Sequence, residues 1–210
     1  MGAEEVAERS RLSVVARYES LVGVSNAIGT HRDPKNLFSA LVKELHRVVQ
    51  FHYIGVAIRD EKSNTFQRQF VDAETEAFIP PNPELAMEES DAWWVYENQE
   101  PRVTSLEPNQ APSCKFQEIL QKYGIRSVCT LPLTTAHSKV GTLTFASKAS
   151  DIYTAEEVQF LSVVAEQIAL AFDNALHFDA SQAWQQQLVR KNESRARCRQ
   201  ELYSHKGSFS

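Results

Sequence analysis

Gly124-Ile-Arg-Ser-Val-Cys-Thr-Leu-Pro-Leu133, then Val140-Gly-Thr-Leu-Thr-Phe-Ala-Ser147, then Tyr153-Thr-Ala-Glu-Glu-Val-Gln-Phe-Leu161 is the stretch that decides the fold. Arg126 to Thr134 and Lys139 to Lys148 are rich in branched and aromatic residues, and the polar Thr135 to Ser138 joins them, so they predict two antiparallel strands. Thr154 with Glu157 three residues on is a capping box. Val158, Leu161, Val164, Ile168, Phe172, Ala175 and Leu176 then form a stripe with few breakers, which predicts a long exit helix.

Working upstream, the same alternation of periods continues. Gly124 suits the left-handed stop of a helix that carries Phe116, Ile119, Leu120 and Tyr123. Arg102 to Leu106 reads as a short strand, and Trp93, Trp94 and Tyr96 lie on a short helix after a Pro-rich loop from Asp72 to Glu89. Tyr53 to Arg59 and Thr65 to Val71 predict a hairpin around the polar turn Glu61 to Asn64. Asp33-Pro34 caps a helix expected to end near Gln50, and apolar residues three or four apart predict another from Ala3 to Ile28. The fold class is therefore α+β.

Bulk properties bound the answer. The 210 residues suit one core of about 150 residues with helical extensions. Met1-Gly-Ala-Glu-Glu has no basic start and no apolar run approaches the length of a span, so neither signal peptide nor membrane contact is expected, and a cytoplasmic location is the default. Arg190 to Ser210 holds six Lys or Arg against two Glu, +4 locally, which leaves −9 on the rest of a chain of net −5. An acidic body argues against direct nucleic-acid binding. Cys114, Cys129 and Cys198 are odd in number and lack metal spacing, so reduced thiols and no cofactor are expected. The six scattered histidines form no metal or triad pattern.

With Val164-Ala-Glu-Gln-Ile-Ala-Leu-Ala-Phe-Asp-Asn-Ala-Leu176 added, these words in this order resemble a GAF domain over roughly Leu21 to Leu176. The resemblance implies a central antiparallel sheet of five or six strands. It places the terminal helices on one face and a ligand pocket under crossover loops on the other. It divides the chain into a helix at 1–30 for dimerisation and signalling, a sensor domain at 31–176 and a basic helical extension at 177–210. Within the family, the chain is similar to sensor domains that precede ATPase transcriptional activators. A homodimer through the terminal helices and an output domain or partner protein follow from the same resemblance.

The expected ligand is an unidentified small molecule. Candidate pocket walls are Trp93, Trp94, Phe116 and Tyr123, and candidate polar handles are Arg68, Arg126, Ser127, Cys129 and Thr130. An inward-pointing Arg favours a small anion, and which Arg points inward is left open. Cys114 begins a helix, where the dipole favours thiol reactivity. Bilin attachment is disfavoured because Lys115 follows Cys114 where bilin-binding relatives carry His. Ser127-Val-Cys-Thr-Leu-Pro lacks the nearby carboxylates of free-methionine-sulfoxide reductases, so a non-enzymatic role is expected. Two other readings stand beside the sensor: a dimerisation module with a collapsed pocket, and a thiol redox sensor or enzyme built on Cys114 and Cys129.

Overall fold

The computed structural model describes residues 2–31, 33–60, 65–73, 90–108 and 111–175, with 178, 185, 190 and 191; side chains before Val15 and most of those in 65–73 are outside the description. Residues through Asp173 form one unit. In the second, the described positions Asn174, Ala175, Phe178, Gln185, Arg190 and Lys191 are all helical.

Helix α1 spans Gly2–Thr30 and α2 spans Pro34–Leu45. Asp33 caps α2 by accepting from the Asn36 amide at 2.9 Å, and Pro34 occupies the first turn, where a missing N–H costs nothing. Leu37, Phe38, Leu41, Val42 and Leu45 form its buried stripe. The helix stops at Leu45, earlier than the expected Gln50. The Arg47 and Val48 amides switch to Glu44 O and Leu45 O at 3.3 and 3.1 Å, a tighter turn. The His46 ring stacks on Phe51 at 4.0 Å, and this turn brings Val49 and Phe51 into the core.

The described strands are β1 (Tyr53–Asp60), β2 (Thr65–Ala73), β3 (Arg102–Ser105), β4 (Ser127–Thr134) and β5 (Lys139–Ser147), in one antiparallel sheet ordered β2-β1-β5-β4-β3. Gly141 is obligatory in this sheet, because a Cβ there would sit 2.0 Å from the Ala57 carbonyl oxygen on β1. Successive side chains alternate faces, and residues paired across strands share one. Ile54, Val56, Cys129, Leu131, Leu133, Leu143 and Phe145 therefore lie on one face, each at most 1% exposed. Phe51, following α2, meets Phe145 edge-on at 5.5 Å on this apolar face.

The crossover helices are α3 (Asp91–Asn98) and α4 (Lys115–Lys122). Phe116, Ile119 and Leu120 of α4 pack with Tyr53, Val128 and Ala146, which belong to the opposite face of the sheet. Gly124 ends this segment at φ +77, as a left-handed stop requires. Helix α5 covers 155–175 and opens with Thr154 accepting from the Glu157 amide at 3.3 Å. Arg17 of α1 reaches Glu156 at 2.6 Å, pairs with Glu157 and lies over the Phe160 ring, while Ser25 donates to Gln167 at 3.2 Å. Helices α1 and α5 are thus tied at two levels. Among the described residues no helix is long and apolar enough to cross a membrane.

Candidate functional site

The sheet face toward α3 and α4 differs in chemistry from the apolar one. Its centre is a row of small and hydroxyl-bearing residues: Gly55 and Ala57 on β1, Thr142 and Thr144 on β5, Thr130 and Pro132 on β4. The Thr130 and Thr144 hydroxyls pair at 3.2 Å. Thr142 is 0% exposed and its hydroxyl has no hydrogen-bond partner among the described residues. Leaving such a group unpaired costs about 1–3 kcal/mol. A Cβ on Gly55 would meet the Tyr53 hydroxyl, so glycine there lets the tyrosine lie along the sheet.

Helix α3 closes one end of this face. Ser90 caps it by accepting from the Trp93 amide at 3.2 Å, and Gln99 ends it in the left-handed region at φ 59. The Arg59 guanidinium lies over Trp93 and Tyr96, 5.6 and 5.0 Å from their centroids. Phe66 meets both rings edge-on at 5.8 and 5.0 Å. Arrangements of this kind contribute about 0.5–1.5 kcal/mol each beyond area burial and fix the rings' orientation.

A polar node joins α3, β3 and α4. Asp91 accepts from Thr104 at 3.1 Å and Gln117 at 3.0 Å and pairs with the Arg102 Nε at 3.2 Å. Gln117 is buried and its carbonyl oxygen accepts from the Ser113 amide at 2.9 Å, which fixes the entry to α4. Arg102 sits opposite Thr130 in the ladder, and its guanidinium stacks over Trp94 at 5.0 Å.

The structure brings some expected site residues together and separates others. Trp93 and Thr130 belong to the threonine face, and Trp94 stands at its edge, 37% exposed. Phe116 serves the apolar α4 cluster against Tyr53 at 6.0 Å, and Tyr123 is 38% exposed at the end of α4. Arg126 precedes β4, where its amide donates to Ser147 O at 2.8 Å. The backbone of Arg68 pairs with Ala57, and its side chain lies outside the described residues.

Ser127 and Cys129, the other two expected handles, do not lie on this face. Val128 and Thr130 face α3 and α4, so the alternation of the strand turns Ser127 and Cys129 to the other side, both 0% exposed. Burial pushes the Cys129 thiol up to about 12, which leaves it protonated and unreactive near neutral pH. Cys114, half-buried at the start of α4, lies across the sheet from it. Both are free thiols.

Arg59, Asp91, Arg102, Gln117, Thr142 and Thr144 were not singled out by sequence. The signal available was the repeated threonine at alternate positions 142 and 144, which in a strand is indistinguishable from ordinary β-propensity. A separate open groove of about 670 Å³ lies outside the edge of β4, where Pro101, Pro132 and Ala136 meet Ser162, Glu166 and Leu170 of α5.

Comparison with known proteins agrees with this architecture. The chain is 24% identical over 183 residues to the formate hydrogenlyase transcriptional activator of Salmonella typhimurium (strain SL1344), an alignment covering 83% of this chain and 26% of the relative. The chain thus spans about a quarter of the length of the curated relatives it matches. The GAF domain from a phosphoenolpyruvate-protein phosphotransferase of Coxiella burnetii superposes with a TM-score of 0.66 at 15% identity, covering 79% of this chain and 98% of that one. Free methionine-R-sulfoxide reductase from Neisseria meningitidis, in complex with its substrate, superposes with a TM-score of 0.60 at 13% identity, covering 77% and 90%. These likenesses establish the fold, and the GAF domain model itself matches residues 33–172. The chain belongs to the GAF domain family.

Proposed function

We propose that this chain is the sensor module of a regulatory protein, which binds a small molecule on the threonine face between α3 and α4 and passes its state to an output partner. The observation that carries this reading is the Thr142 hydroxyl: buried, without a hydrogen-bond partner among the described residues, and central in a row otherwise of small and hydroxyl-bearing residues. A buried unpaired hydroxyl is a standing cost that a ligand's polar group removes. Thr130 and Thr144 supply further hydroxyls, Trp93 an aromatic wall, and Arg102 a cation at the edge for a ligand that carries negative charge. Arg68, Arg126, Phe116 and Tyr123 are further candidates for ligand contact. The Salmonella relative is a transcriptional activator, which supports a transcriptional output.

Trp93 and Trp94 lie beside the site and make the test direct. A metabolite panel screened by tryptophan fluorescence is expected to contain a compound that shifts the emission, and Thr142→Val is expected to abolish the shift while raising the stability of the unliganded protein by about 1 kcal/mol. Silence across the panel counts against sensing. The near-zero exposure of Thr130 and Thr142 favours a second reading, in which the face is collapsed and the domain only dimerises. That reading predicts the silent panel.

A further inference from the structure

The hairpin 134–139 between β4 and β5 is bonded on both sides. Toward α3, the Thr134 hydroxyl donates to the Gln99 side-chain oxygen, and the Gln99 amide nitrogen returns to the Tyr96 carbonyl. The Lys139 ammonium donates to Glu97 O at 3.2 Å, and the Tyr96 hydroxyl donates to Lys139 O at 3.5 Å. Toward α5, Ser138 and Thr135 donate to the two carboxylate oxygens of Asp173 at 3.0 and 3.4 Å.

The hairpin is itself stiff. The Thr135 hydroxyl accepts from the His137 and Ser138 amides at 3.3 and 3.1 Å, and the Thr135 amide donates to Ser138 O at 2.9 Å. A register irregularity between Leu133 and Thr134 sets the start of this turn. Gln99 is held too, because its left-handed backbone is sparsely populated for a residue with a side chain. Helix α3 therefore cannot rotate without breaking these bonds or moving the hairpin, and the hairpin cannot move without acting on Asp173.

We infer that the hairpin 134–139 is a strut through which the position of α3 is read at Asp173 of α5. As a route for sensing, this rests on the proposal that a ligand acts at the face beneath α3. The mechanical coupling itself is independent of any ligand. Contiguous bonding is the structural part of such a claim, and energetic coupling is its proof.

Amide hydrogen exchange on the full chain supplies that proof without a ligand. Coupling is reciprocal, so Asp173→Ala is expected to speed exchange of the Gln99 amide, which donates to Val95 O, by about fivefold, the effect of one lost hydrogen bond. The Ile125 amide, bonded to Leu120 O outside the strut, is expected to keep its rate. In a Thr134→Val background, which leaves the Lys139–Glu97 and Tyr96–Lys139 bonds in place, the Asp173→Ala effect on Gln99 is expected to shrink, and in Thr134→Ser it returns in full. Asp173→Asn, which keeps one acceptor oxygen, gives a smaller effect in the same direction and serves if the alanine variant fails to fold. An unchanged Gln99 rate in the Asp173 variants, or an undiminished effect in Thr134→Val, overturns the strut. A silent ligand panel bears on the sensing proposal alone.

Discussion

At Gly141 and Cys129 a single atom decides the outcome. A Cβ on Gly141 would lie 2.0 Å from Ala57 O and 3.0 Å from the Ile58 Cα, both backbone atoms that no rotamer change can move. Gly141→Ala is therefore expected to lose about 2–4 kcal/mol in urea unfolding by prising β1 from β5. Gly124→Ala, in open space at φ +77, is expected to lose about 1 kcal/mol from backbone strain alone. Equal losses would mean that the strand contact is not tight. Cys129 predicts a pH effect. Its thiol ionises at about 12 in the fold against an ordinary 9.0, so above pH 9 the unfolded chain releases a proton that the folded chain keeps. The stabilisation is complete below pH 9 and falls toward pH 12, by up to about 1.4 kcal/mol per unit. Burial raises Tyr153 in the same direction. Cys129→Val is expected to flatten the fall between pH 9 and 11; parallel curves would exonerate the thiol. The sequence placed both residues on strands but left open which way Cys129 faced, because a one-residue change in phase turns every side chain over.

Among the elements, the connection between α1 and α5 rests heavily on Arg17, whose side chain is 18% exposed between two carboxylates and the Phe160 ring. Arg17→Ala is expected to cost about 1 kcal/mol, more than a fully exposed pair, and Arg17→Lys to recover only part, since a lysine loses the planar stacking. Chemical denaturation at low and high salt measures this, and a loss that persists undiminished in high salt would point to packing with Phe160 as its source. These helices were legible because caps and breakers are local signals: Asp33-Pro34, Thr154 with Glu157, and Gly124 all act within a few residues. The end of α2 was not, because it is fixed by His46 stacking on Phe51, a contact made only after the chain turns. Arg59 over Trp93 and Tyr96 escaped for the same reason, since the sheet, and no sequence spacing, brings β1 beneath α3.

At the scale of the molecule, the open question is what covers the outer sides of α1 and α5. Val15, Tyr18 and Val22 are 53%, 68% and 45% exposed at i, i+3 and i+7 on α1. Val163 and Leu170, seven apart on α5, are 42% and 55% exposed. The contacts Arg17–Glu156 and Ser25–Gln167 set the two helices side by side and parallel, so both stripes border one seam. Two apolar stripes flanking a seam match what a second copy presents through a two-fold axis, which would complete a four-helix layer. The expected state in sedimentation velocity is a dimer, and Tyr18→Glu with Val22→Glu is expected to shift it to monomer, at least tenfold in dissociation constant, the result of about 1.4 kcal/mol or more. Val103→Glu, equally exposed at 43% but on the edge strand β3, provides the control and should leave the dimer intact. A monomeric wild type would remove the dimer, and a dimer indifferent to charge on α1 would remove the helical seam as its interface and leave the groove between Pro132 and Leu170 as the next surface to test.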